Sequence, residues 1–161
     1  MKRTRNFVVL ALTAALLALP AAPVGAARAL NQASGAGSFT ASGGGGGNNN
    51  TVVENEFRFA FSARQLDDDG TATGQFTYRN VTKGNRLQME IVEMTVVDDG
   101  VCLKGEITKA VGGDAQVGAF RFVKLQDNGQ GANAEPDMSS KLSGNSCGEL
   151  FELDRGNVKI H

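Results

Sequence analysis

The sequence predicts an all-β fold: a single antiparallel β-sandwich or small barrel of about seven strands, carrying one disulfide. Three features predict it. Apolar and polar residues alternate at period two in several runs, Asp- and Gly-rich turn signals separate those runs, and Cys102 and Cys147 are the only cysteines.

The 161-residue chain opens on a segment that reads as a signal peptide, residues 1–26. Lys2, Arg3 and Arg5 precede an apolar run from Phe7 to Leu19 that is too short to span a bilayer, and small residues follow through Ala26 and Ala27. Secretion to the periplasm or the medium is expected, and no later stretch is apolar and long enough to be a transmembrane segment. Losing Lys2, Arg3 and Arg5 leaves 13 basic residues against 17 acidic ones. Because the two signs are mixed along the strands, no nucleic-acid surface is expected. Residues 27–51 are rich in Gly, Ala, Ser and Asn and read as a flexible tether, because they bury too little apolar surface to offset ordering. The all-β domain is expected over residues 52–161.

The central hairpin runs from Glu56 to Asn80. Phe57, Phe59, Phe61 and Ala63 share one face of its first arm, and Ala72, Gly74, Phe76 and Tyr78 share one face of its second, with LDDDG between them. Lys83-Gly84-Asn85 makes the next turn. Arg86–Val97 then reads as a long strand whose inward face passes from Leu87, Met89 and Ile91 to Val92, Met94 and Val96, a slip of one residue that a β-bulge produces. After Asp98-Asp99-Gly100, Val101, Leu103, Gly105 and Ile107 share one face and Cys102 lies on the other. Val117–Gln126 is a further strand with Phe120 and Phe122 two apart, both assigned to the core. Asp127–Asp137 is the least regular stretch. Two short closing strands follow, at Leu150–Leu153 and Val158–Ile160, with a turn at Asp154–Asn157.

An exported chain places Cys102 and Cys147 where disulfides persist, so a bridge between them is expected. Closing a loop of that length stabilises by about 4 kcal/mol in the chain-entropy model. The reactive groups are sparse. His161, the only histidine, is the last residue, so a histidine-centred triad or metal site lacks its middle member. Glu90, Glu93 and Glu106 lie on strands and would serve a small carboxylate-dependent hydrolase or an inhibitor-like secreted protein, although nothing in their spacing requires them to converge. Asp127, Asn128 and Asp137 are hard oxygen donors in one loop and are the candidate calcium ligands; the same Asp-Asn-Gly sequence is also an ordinary tight turn. Thr71, Thr73 and Thr77 give an outward face that would suit a polymer, and threonine is equally ordinary on any exposed strand.

The runs FRFAFSAR, DDGTATGQFTY, VCLKGEI, GAFRFV and DNGQG with a following PD resemble small secreted bacterial all-β domains of the post-COAP type, over roughly Glu56 to Cys147. That resemblance implies an extracellular β module and carries over no catalytic residues. Lys104-Gly105-Glu106-Ile107 departs from it by lacking the longer turn that the group has there. The sequence therefore predicts an exported, non-catalytic β module, binding or structural, with an extracellular or envelope partner.

Overall fold

The computed structural model describes residues 30–44, 52–98, 100–131 and 133–161, so the signal-peptide reading and both ends of the expected tether lie outside the described residues. Among the described residues nine strands occur and no helix: β1 (Gln32–Gly44), β2 (Val52–Gln65), β3 (Thr71–Asn80), β4 (Asn85–Val97), β5 (Gly100–Val111), β6 (Phe120–Gln126), β7 (Met138–Ser140), β8 (Leu150–Glu152) and β9 (Arg155–Ile160). All belong to one antiparallel sheet, in the order β8-β7-β6-β5-β4-β3-β2-β1-β9. The seven expected strands are present. The two additional ones are β1 and β7.

β8 and β9 stand at opposite edges of this order, yet only Leu153 and Asp154 separate them. Two extended residues reach about 7 Å, so the edges must meet and the sheet must roll. The ring of Phe39 on β1 stacks on Phe151 of β8 with centroids 5.7 Å apart, and Asp154 N–H donates to the Ser38 carbonyl at 2.8 Å. The roll does not close through a continuous backbone ladder.

The segment expected to be a tether instead supplies β1, which pairs with β2 from Gln32↔Arg64 to Gly44↔Val52 and with β9 on its other side. Its small residues misled because they alternate. Ala33, Phe39 and Ala41 are buried with Gly35 and Gly37 on the inner face, while Ser34, Ala36, Thr40 and Ser42 are exposed. Gly35 and Gly37 lie opposite Phe61 and Phe59, and a Cβ on Gly37 would come within 2.8 Å of both the Arg155 carbonyl oxygen and Leu153 Cδ1. Ladder bonds to two neighbours and the fully buried ring of Phe39 offset the ordering cost that composition alone suggests.

The core is the inner face of the roll. A ring series runs Phe151, Phe39, Phe57, Tyr78, Phe76, Phe59, with neighbouring centroids 5.2–6.3 Å apart. Met89, Ile91, Met94, Val101, Leu103, Ile107, Val123 and Leu125 fill the other half. The slip expected in β4 is present: Ile91 pairs with Gly105 and Glu93 with Lys104, leaving Val92 as the extra residue, so that Met94 regains the inner face. The expected inward placement of Val96 differs, since it is 50% exposed. Cys102, on the outer face of β5, is bonded to Cys147 with Cα atoms 6.0 Å apart. This bridge ties the 141–149 connection to the sheet.

Two further expectations are corrected. In β6 the inward positions are Val123 and Leu125, both fully buried, so Phe120 and Phe122 face outward and Phe120 is 44% exposed. The expected turn at Asp154–Asn157 is largely strand, because β9 begins at Arg155.

If β1 is integral, Phe39→Ala should cost about 3–5 kcal/mol in a denaturant titration. A loss below about 1 kcal/mol would mean that β1 is not docked in the core.

Candidate functional site

The loop between β6 and β7 brings together the three residues nominated for calcium. Asp137 Oδ1 accepts the Asn128 N–H at 2.8 Å, and Oδ2 accepts the Val158 N–H at 2.6 Å. Asp127 Oδ1 accepts the Gly129 N–H at 2.8 Å, and Oδ2 accepts the Ile160 N–H at 3.0 Å. Asn128 Nδ2 donates to the Pro136 carbonyl at 2.6 Å and its Oδ1 accepts from Gln126 Nε2 at 2.7 Å. Val158 and Ile160 offer these N–H groups on the edge of β9 away from β1, where no further strand pairs. The two carboxylates therefore seal the open seam of the roll by accepting what a neighbouring strand would have accepted. Among the described residues no group of three or more His, Cys, Asp and Glu side chains is placed to hold a metal ion.

Glu90 and Glu106 are brought directly opposite each other on the outer face, and Glu93 lies opposite Lys104 with an ion pair of 3.1 Å. Lys104 Nζ also lies 5.2 Å and 5.9 Å from the ring centroids of Phe120 and Phe122. Glu90 borders a depression walled by Thr73, Gln75, Thr77, Gln88 and Thr108.

Tyr78, on the inner face, stacks on Phe57 and Phe76. Burial raises its phenol far above the ordinary value near 10, and a hydrogen bond with the Leu142 backbone offsets part of that rise.

The strongest constellation was not nominated from the sequence. Strand register places Arg155, Ser38, Arg58, Arg79 and Arg86 in a single row across β9, β1, β2, β3 and β4. The four arginines are exposed and share the outer face. Like charges directly opposite destabilise a sheet, and here three arginines on consecutive strands face one another. Arg58 Nε is paired with Glu56 Oε1 at 2.7 Å, a surface pair of small worth. Among the described residues Arg79, Arg86 and Arg155 make no side-chain hydrogen bond or ion pair. Beside this ridge runs a lower row, Asn157, Ala36, Ala60, Thr77, Gln88 and Lys109. Two depressions meet at Arg58: one of about 400 Å³ lies over this row and reaches Arg86 and Lys109, and one of about 720 Å³ crosses the ridge from Ala36 past Arg155 to Thr40, Glu56 and Asp154.

Comparison of the chain with protein-family models, curated proteins and solved structures returns no match.

Asp137→Ala should lower stability by about 1–3 kcal/mol for each donor it orphans, at Asn128 and Val158, and Asp137→Asn should cost less. Calcium added to chelator-treated protein should leave the unfolding midpoint unchanged; a concentration-dependent rise that Asp127→Asn removes would make the loop an ion site. Above about pH 10 the unfolded chain loses the Tyr78 proton that the folded chain keeps, so stability should fall as pH rises. Tyrosinate absorbance should grow only with unfolding, and ionisation at the ordinary value in intact protein would contradict the burial of Tyr78.

Proposed function

We propose that the chain is an exported, non-catalytic binding module that holds an anionic ligand on the outer face of β9-β1-β2-β3-β4. The arginine row carries this reading. Arg58, Arg79 and Arg86 oppose one another in register with one ion pair among them, an arrangement that costs folding free energy and is relieved by an anion. Guanidinium groups suit such a ligand because each offers a planar fork of donors to carboxylate, sulfate or phosphate oxygens.

Export is supported by the N-terminal pattern of residues 1–26, by the Cys102–Cys147 bridge, and by the absence among the described residues of a helix long and apolar enough to cross a membrane. The post-COAP resemblance of Glu56 to Cys147 suggests the same extracellular setting. A binding role is supported by the exposure of the arginine face, and the ion pair of Glu93 with Lys104 favours that role over a carboxylate-dependent reaction.

The mature chain has more acidic than basic residues, so its overall charge opposes retention on a sulfated resin. It should nevertheless bind such a resin at low salt and elute as salt rises, because a local basic patch governs close-range attraction. Arg79→Glu should abolish retention while leaving the unfolding midpoint the same or higher, since it removes a like-charge contact. Flow-through of the native protein at low salt would overturn the reading.

A further inference from the structure

We infer that the ligand of this face is a linear acidic polysaccharide lying across the strands, its anionic groups on the arginine ridge and its hydroxylated backbone in the lower row beside it. This rests on the anion-binding reading above and names the ligand class. A small anion would be held by one or two converging arginines. Here four arginines instead span five neighbouring strands, from Arg155 to Arg86, with Ser38 on β1 between Arg155 and Arg58. At about 4.8 Å per strand the row is about 19 Å long, so only a chain with several negative groups engages it throughout.

The flanking chemistry fixes where that chain lies. Glu56 and Asp154 are on the side of the ridge away from the lower row, next to Thr40, whose hydroxyl donates to Asp154 Oδ2 at 2.9 Å. These carboxylates also line the depression at Arg155, so an acidic polymer is repelled from its far edge and directed toward the lower row. There the bed is Ala36 and Ala60 flanked by the amides of Asn157 and Gln88 and the Thr77 hydroxyl, small enough to admit a chain and polar enough to bond its hydroxyls. Lys109 extends the bed onto β5. The exposed row that follows is Ser34, Ser62, Gln75 and Glu90, with Lys159 on β9, so that side is polar with a cation at its β9 end and a carboxylate at its β4 end.

The same face argues against a single-stranded nucleic acid. Such strands are held by bases stacked on aromatic rings, and every aromatic ring on β1 to β4 among the described residues, Phe39, Phe57, Phe59, Phe61, Phe76 and Tyr78, belongs to the inner face. The outward rings, Phe120 and Phe122, stand on β6 and are covered by Lys104.

The test is calorimetry of the mature chain with galacturonate oligomers of one to six sugars, with a sulfated glycan and with oligothymidylate of matched charge, all at one ionic strength. Affinity should rise at least tenfold from monomer to the oligomer that spans the row and level off beyond it, because each added contact is intramolecular. Arg79→Gln and Arg86→Gln should each weaken the long oligomer about tenfold, and Lys104→Gln on the β5–β6 face should leave it unchanged. A sulfated glycan that binds with the same dependence on arginine and length supports the inference and identifies sulfate as an accepted group. Equal affinity for monomer and long oligomer would overturn the polymer while leaving an anion site. Tighter binding of oligothymidylate would overturn the polysaccharide. Arginine-independent binding, or none to any probe, would overturn both.

Discussion

Two residues, Leu153 and Asp154, join strands that stand at opposite edges of a nine-stranded sheet. That short link is the constraint on which the rest depends. It requires the edges to meet, so the sheet rolls, and rolling requires a strand at the junction that lets its neighbours approach closely. β1 provides it. Gly35 and Gly37 leave room for the rings of Phe61 and Phe59 and for the β9 backbone, while Phe39 fills the space where β8 arrives. An alanine-sized side chain at either glycine would meet a β9 carbonyl oxygen, so the composition that looks unstructured is what closure demands.

The roll leaves an unpaired edge on β9, and an exposed edge is a liability for sheet extension. Asp127 and Asp137 manage it. Their oxygens accept the Ile160 and Val158 N–H groups that a tenth strand would otherwise have bonded. The seam is thus closed by side chains that reach in from the loop between β6 and β7. The disulfide holds the next connection against β5. These devices stiffen one side of the roll and leave the face of β9-β1-β2-β3-β4 open. The inner face fixes the register of that open face, since a one-residue slip would turn the phenylalanines outward. The backbone positions of the arginine row are consequently fixed by the core.

The sequence disclosed what depends on local pattern. Alternation identified β2 to β6, the slipped apolar positions marked the bulge at Val92, and two cysteines behind a segment that reads as a signal peptide gave the bridge. β1 was hidden because its inward residues are mostly Gly and Ala, for which alternation carries no hydropathy contrast. Phe120 and Phe122 were placed in the core because aromatics two apart resemble an inner face, whereas Val123 and Leu125 hold the inward parity of β6. The oxygen cluster at Asp127, Asn128 and Asp137 was visible, but its backbone partners lie 21 and 33 residues further on and carry no side-chain signature. The arginine row was invisible for the same reason. Arg58, Arg79, Arg86 and Arg155 are scattered over nearly a hundred residues, and only the antiparallel register aligns them.

The central claim is that this aligned row is a binding face. The most direct measurement is an amide NMR titration of residues 27–161 with a galacturonate oligomer long enough to span the row, with assigned resonances mapped onto the sheet. The account predicts shifts concentrated at Ser38, Arg58, Ala60, Thr77, Arg79, Arg86 and Arg155, with Phe120, Phe122 and the Asp127–Asp137 loop unperturbed. Shifts centred on β5 and β6 or on the loop, with the arginine row silent, would contradict it.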